Sequence, residues 1–365
     1  MKIVFVSEYF PQSENCEVRG GVEARCFFVA KELAKKHDVT VVASWEQGSE
    51  KKHQICGINV IRCGIERKYS QGGSIFARIS FIWAAYRTIK NLDYDVIDSQ
   101  IYIPHLAAAF LPGKKFMTYH SVWIGKWAKY IGLHGLILEL IEKWLLSLDW
   151  ERVIAVSEST KKELTEAGVK PKKIHVVKNG VVDCNVEVKK SKFPTLSCVS
   201  RLVKYKNIDD LLQAVHIIKN TYPKVQCNIV GTGPEKERLI NLCKILGIDK
   251  NVKFLGFKKH HIDVIKTISR SHVFCLPSSF EGFGIALQEA NACRVPYVCS
   301  DIPSLVETTE CGKGGLLFKK KDYQDMAEKI KRLLDDKQFY AQKTKEQIKK
   351  YKWEDVANSL KEIYR

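Results

Sequence analysis

The chain has 365 residues, a length for two or three domains. Its 45% apolar and 27% charged residues are ordinary for a globular protein, and no run of 18 uncharged apolar residues exists to form a spanning helix. The net charge of +18 splits into +6 over residues 1–185 (26 Lys+Arg against 20 Asp+Glu) and +12 over 186–365 (33 against 21). It favours anionic partners such as nucleotides, phospholipid headgroups or nucleic acid, against the plainer reading of a solvated, lysine-rich surface.

Met1-Lys-Ile-Val-Phe-Val6 is too short and too soon polar for a signal peptide and reads as a buried first strand. Strand-like apolar runs follow at 39–44, 58–62, 95–98, 115–119, 152–156 and 174–177. Between the first two, Val22, Cys26, Val29, Ala30 and Leu33 fall on one helical face. A second series occupies 195–200, 225–230, 252–255, 272–276, 296–299 and 315–318, with helical segments such as 207–219 and 234–246 between. Continuous apolar strands alternating with amphipathic helices predict parallel sheets covered on both faces. Two such series predict an α/β chain of two doubly wound, Rossmann-like domains, 1–185 and 186–350, joined through the polar stretch 183–194. The twelve cysteines show no C-x-x-C or zinc spacing, so they read as buried thiols in a reducing cytosol, and no metal site is expected.

Ligands of open parallel sheets bind beyond the carboxyl ends of the strands, so the loops there carry the candidate chemistry. Gly20-Gly21 before a helix lets backbone N–H groups approach an anion, or simply makes a tight turn. His120 and Asn179 follow two further strands of the first series; alone, His120 reads as a packed strand-end histidine. Gly231-Thr-Gly233 lacks the third glycine and the acidic partner of a dinucleotide fold, which disfavours a nicotinamide site. Arg201 and Lys206 follow the first strand of the second series and can grip a diphosphate from two sides, or stand as solvated charges.

The most specific stretch is Pro277-Ser-Ser-Phe-Glu-Gly-Phe-Gly-Ile-Ala-Leu-Gln-Glu-Ala290. It follows a strand and opens a helix. Glu281 in the loop can reach a hydroxyl-rich ligand or a developing cation. The N–H groups after Gly282 and Gly284 suit a phosphate, and Glu289 can point back to take two ribose hydroxyls. The competing reading makes Glu281 a helix cap and Glu289 a surface residue.

These residues carry a resemblance. The segment 277–296 resembles the E-x7-E signature of retaining glycosyltransferases of family 4, whose fold is GT-B: two Rossmann-like domains facing across a cleft. Gly20-Gly-Val-Glu23, Tyr94-Asp-Val-Ile-Asp98, Thr118-Tyr-His120, Val153-Ile-Ala-Val-Ser-Glu158, Lys178-Asn-Gly-Val181, Val199-Ser-Arg-Leu202 with Lys206, Ile229-Val-Gly-Thr-Gly-Pro234 and Val252-Lys-Phe-Leu-Gly256 match in order. Trp353-Glu-Asp-Val356 resembles the family's last helix, which implies that 351–365 cross back to the first domain.

The resemblance implies a sugar transferred from a nucleoside diphosphate sugar (UDP- or GDP-linked) to an acceptor hydroxyl with retention, by front-face attack and without metal or cofactor. The acceptor expected is a saccharide or a lipid-linked glycan. Arg201 and Lys206 would hold the diphosphate, and Glu289 the ribose. Glu281, His120 and the backbone of Phe283, Gly284 and Ile285 would line the sugar. Gly20, Gly21, Asn179 and Gly231 would complete the donor site. Two departures stand out: Arg294 replaces a family glycine, and the loop 11–19 is long.

Trp123–Ile131 and the helical stretch 136–146 set aromatics and lysines beside apolar residues. With the basic surface, they suggest a cytoplasmic protein peripheral to the anionic inner face of a membrane; the competing reading makes 136–146 a core helix. A non-catalytic nucleotide-sugar-binding protein is the alternative function. No nucleic-acid-binding motif is present.

Overall fold

The computed structural model describes residues 1–14, 17–69, 74–182, 184, 186–346 and 351–365. The chain divides into two units, Met1–Gly180 with Tyr351–Arg365, and Val181–Lys350.

The first unit holds β1 (Lys2–Ser7), β2 (Asp38–Glu46), β3 (Lys52–Ile55), β4 (Ile58–Arg67), β5 (Val96–Gln100), β6 (Lys114–Tyr119), β7 (Arg152–Ala155) and β8 (Ile174–Val176) in the order β3-β4-β2-β1-β5-β6-β7-β8. β1 sits between β2 and β5, with Val4 level with Thr40 and Ile97, so five of its six residues are buried. That is why Ile3-Val-Phe-Val6 reads as an unbroken apolar run. Helices Ile75–Lys90, Tyr102–Ala108 and His134–Ser147 share one core with the sheet, through Phe81, Ala107, Leu145, Ile97 and Met117. Helix Gly21–Ala34 packs with the C-terminal helix Trp353–Tyr364, Phe28 stacked on Trp353 at 5.2 Å between centroids.

One strand departs from the expected all-parallel pattern. β3 pairs antiparallel with β4 through a two-residue turn, Cys56-Gly57, both at positive φ. Its sequence, Lys-His-Gln-Ile, is mostly polar because it is an edge strand, so no apolar run announced it.

The second unit holds β9 (Thr195–Val199), β10 (Gln226–Val230), β11 (Val252–Gly256), β12 (Val273–Leu276), β13 (Tyr297–Ser300) and β14 (Gly315–Phe318), all parallel, in the order β11-β10-β9-β12-β13-β14. Counted from β9 this is 3-2-1-4-5-6, the doubly wound order. Leu196, Cys198, Cys227 and Cys275 face helices Ile208–Thr221 and Tyr323–Asp335 in one core. Phe274, Leu276, Tyr297 and Cys299 face the other side with Leu287 and Leu305. The two faces are filled by alternate residues of the same strands, as the pleat requires.

Candidate functional site

Strand order reverses between β9 and β12, and the loops leaving these two strands lie at the switch point where doubly wound sheets bind ligands. Arg201 and Lys206 come from the first loop and Glu281 from the second. Backbone joins the loops: the Ser279 N–H donates to the Tyr205 carbonyl at 2.8 Å. Side chains do too, Asn207 Nδ2 donating to Ser279 Oγ at 2.6 Å.

Lys206 Nζ donates to Glu281 Oε1, which also accepts from Ser278 Oγ at 2.8 Å. The two charged side chains are only 12% and 13% exposed, so this is a largely desolvated ion pair rather than a surface one. Arg201 Nη2 donates to the Tyr205 hydroxyl, and the Tyr205 ring packs edge-on against Phe280. Arg201, Lys206 and Glu281 therefore share one scaffold built by Tyr205, Ser278 and Ser279; the two serines lie inside the 277–296 signature, but nothing in the sequence gives any of the three this role.

The helix-cap alternative for Glu281 does not hold. Gly284 is the N-cap of helix Ile285–Ala292, at φ 83°, and no side chain caps the helix. A Cβ at Gly284 would stand 2.8 Å from Leu305 Cδ2. The N–H groups of Phe283, Gly284 and Ile285 meet no acceptor among the described residues. The Phe283 ring is buried, and its carbonyl accepts from Thr308 Oγ1 at 2.6 Å.

Glu289 is not a surface residue either. It is 6% exposed and pairs with His261 Nε2 at 3.0 Å. Burial opposes protonation of His261, but the Glu289 charge and hydrogen bond outweigh it and raise the imidazole pKa above its ordinary value. Nothing in the sequence singles out His261, because its partner lies 28 positions away.

Gly231 has a packing reason independent of any ligand. It sits at φ 132°, where a Cβ would fall 1.9 Å from the Ser200 carbonyl oxygen. Gly233 likewise faces the Leu202 carbonyl at 2.2 Å, while the Leu202 N–H donates to the Thr232 carbonyl at 2.9 Å. The two glycines let the loops after β9 and β10 interlock and fix where Arg201 starts.

In the first unit, His120 follows β6 and is buried, bonded to Gln100 Oε1 at 3.0 Å. Gln100 donates to Asp98 at 2.9 Å, as does Thr118 at 2.7 Å, and Tyr364 of the C-terminal helix completes the set. Burial, then the charges of Arg25 and His105, hold His120 well below its ordinary pKa, so it is a neutral imidazole. Burial lifts Asp98 to about 6 against these donors and Arg25. Asn179 Oδ1 accepts from the buried Arg25 at 2.6 Å. Gly20 caps helix Gly21–Ala34 in extended backbone with nothing within 4 Å of where a Cβ would stand, and Gly21 is exposed. Gly20 is demanded neither by φ nor by neighbours.

The long loop is anchored at both ends. Arg62 donates to the carbonyls of Phe10 and Pro11 at 3.0 and 2.7 Å, and Arg19 is paired with Glu46 at 2.5 Å.

Known proteins place this arrangement. Residues 183–354 match the family model of "Glycosyl transferases group 1", and residues 19–183 that of "Glycosyltransferase Family 4". An uncharacterized glycosyltransferase of Methanocaldococcus jannaschii is 26% identical over 100% of this chain and 98% of its own length. A glycogen synthase of Mycobacterium tuberculosis is 24% identical over 100% and 94%. Among solved structures, sucrose-phosphate synthase of Thermosynechococcus elongatus superposes with a TM-score of 0.83 at 18% identity, covering 100% of this chain and 98% of that one. Anabaena HepE in complex with UDP and glucose gives 0.77 at 20% identity, covering 99% and 98%. The fold is GT-B, an α/β architecture of two Rossmann-like domains. The chain belongs to the group 1 glycosyltransferases of family 4, and its enzyme class is glycosyltransferase.

Proposed function

We propose that the protein transfers a sugar, with retention, from a UDP- or GDP-linked donor to a hydroxyl of a saccharide or lipid-linked glycan. The observation that carries this is the desolvated Lys206–Glu281 pair with Arg201 at the switch point of the second unit. UDP and glucose occupy HepE of similar fold, and UDP-glucose is bound in another HepE structure. Among relatives, a Schizosaccharomyces pombe phosphatidylinositol N-acetylglucosaminyltransferase subunit is 24% identical over 98% of this chain and 78% of its own length.

In this reading Arg201 and Lys206 hold the diphosphate, the free N–H groups of Phe283, Gly284 and Ile285 add to them, and Glu289, held by His261, takes the ribose. The bond from the anomeric carbon to the β-phosphate oxygen breaks, and its electron pair leaves with the nucleoside diphosphate. The acceptor hydroxyl attacks from the same face and passes its proton to the departing phosphate oxygen. Glu281 orients Lys206 and hydrogen-bonds the sugar. Two cationic side chains supply the charge that a metal would, so no cofactor is part of the reading. None of the cysteines among the described residues is in a disulfide, which suits a cytoplasmic enzyme.

Time-resolved NMR of the sugar first released from an α-linked donor tests the proposal. The α-anomer appearing before mutarotation is expected; the β-anomer would refute retention, and no turnover with any donor and acceptor would leave the non-catalytic binder.

A further inference from the structure

The first unit carries two exposed apolar stripes that its own core does not use. On helix Ile75–Lys90, Ala77, Phe81, Ala85 and Ile89 face the sheet, while Phe76 (76% exposed), Ile79 and Trp83 (61%) line the opposite side. On helix His134–Ser147 the buried positions are Gly135, Glu142 and Leu145, and Leu140 (67%) and Trp144 look outward. The expected core helix therefore turns much of its apolar surface to solvent. Exposed Phe110 lies against Trp144, ring centroids 5.9 Å apart, just after the short helix that packs between the two. All three helices cover one face of the sheet.

Charge accompanies this face. Ser74–Lys90 contains three Arg or Lys and no Asp or Glu, and Trp123–His134 contains two Lys and no acid. Arg87 and Lys90 continue the exposed stripe of Phe76 and Trp83 one and two turns on, the Arg87 guanidinium 4.7 Å from the Trp83 ring centroid. Glu142 is buried, and Glu139 turns to the Gly125 N–H and Lys143. The outward charge is thus cationic, beside aromatic and aliphatic side chains on convex helices. A protein partner needs a shaped complement; a fluid, anionic interface needs only apolar side chains to insert and cations to meet phosphates. No helix among the described residues is long and apolar enough to span a bilayer.

We propose that this face docks the enzyme on an anionic lipid bilayer, Phe76, Trp83, Leu140 and Trp144 entering the headgroup boundary and Arg87, Lys90 and Lys129 contacting lipid phosphates. Docking brings a lipid-borne acceptor within reach of the first unit. That consequence rests on the proposed transferase reading; the docking itself does not.

Flotation of the full chain with phosphatidylglycerol–phosphatidylcholine vesicles, and with pure phosphatidylcholine, tests it. Binding to the anionic vesicles is expected, weakened by high salt. Phe76→Ser with Trp83→Ser should lower the partition coefficient about tenfold or more, since two large side chains lose their burial. Arg87→Glu with Lys90→Glu should remove the preference for anionic lipid. Thermal stability, and stabilisation by nucleotide sugar, should stay at the native level in all of them, so failure of docking and failure of the donor reading are read separately. Native protein that ignores both vesicle types would overturn the proposal. So would a concentration-dependent dimer in sedimentation that Phe76→Ser with Trp83→Ser dissolves, because the face would then belong to a second copy.

Discussion

Lys206 has one strong partner, Glu281, inside a nearly dry loop pair. Removing either side chain strands the other charge, which costs about 3 kcal/mol at the low end for buried pairs, as fits partial exposure. Urea denaturation should find that loss in Lys206→Ala. Turnover should fall more than stability explains, by about 10²–10³, the scale for losing one preorganised electrostatic group. Glu281→Gln retains the shape and an acceptor oxygen but not the countercharge, so it should recover only part of the stability and none of the rate. His261 gives a pH signature. Its folded pKa lies above the unfolded 6.5, so the pairing with Glu289 contributes fully below 6.5 and is lost as pH rises through the folded value. Imidazole NMR should show His261 titrating above 6.5, and at a lower pH in Glu289→Gln, where the partner that outweighs burial is gone. A titration unmoved by Glu289→Gln would contradict the pairing.

At the scale of elements, Arg294 explains itself. Helix Ile285–Ala292 ends in a Schellman turn: the Val295 N–H donates to the Ala290 carbonyl and the Arg294 N–H to the Asn291 carbonyl, both at 2.9 Å. Arg294 occupies the left-handed position at φ 55°, where glycine is free of strain. In the sequence it shows only as a cation at a helix end; the backbone conformation is what matters. Arg294→Gly should stabilise the protein by about 1 kcal/mol in chemical denaturation. Gly231→Ala should do the reverse and abolish folding of the second unit, since its Cβ would overlap the Ser200 carbonyl. The other strands were legible because buried parallel strands are rich in apolar residues, even where polar ones such as Asp98 or Ser197 interrupt them. β3 was not, because a polar edge strand has no such run. Glu281 and Glu289 were legible through spacing and flanking elements. Tyr205, Ser278 and His261 were not, because only the folded loops bring them to their partners.

For the molecule as a whole, the C-terminal helix belongs to the first unit by its chemistry. Trp353 fills the space above Gly180, where a Cβ would lie 2.6 Å from the indole, and the Tyr364 hydroxyl meets buried Asp98. Tyr364→Phe should cost about 1–3 kcal/mol by leaving Asp98 short of a donor. Calorimetry should assign the loss to the first unit's transition and leave the second unit's in place. The central claim is that the second unit's switch-point loops hold a nucleoside diphosphate sugar. A thermal-shift and hydrolysis screen against UDP- and GDP-sugars, with Arg201→Ala, Lys206→Ala and Glu281→Ala alongside, tests it most directly. One donor should raise the melting temperature and be slowly hydrolysed, with both effects lost in the three variants. Equal stabilisation of native protein and folded variants would contradict it, and so would no response to any donor.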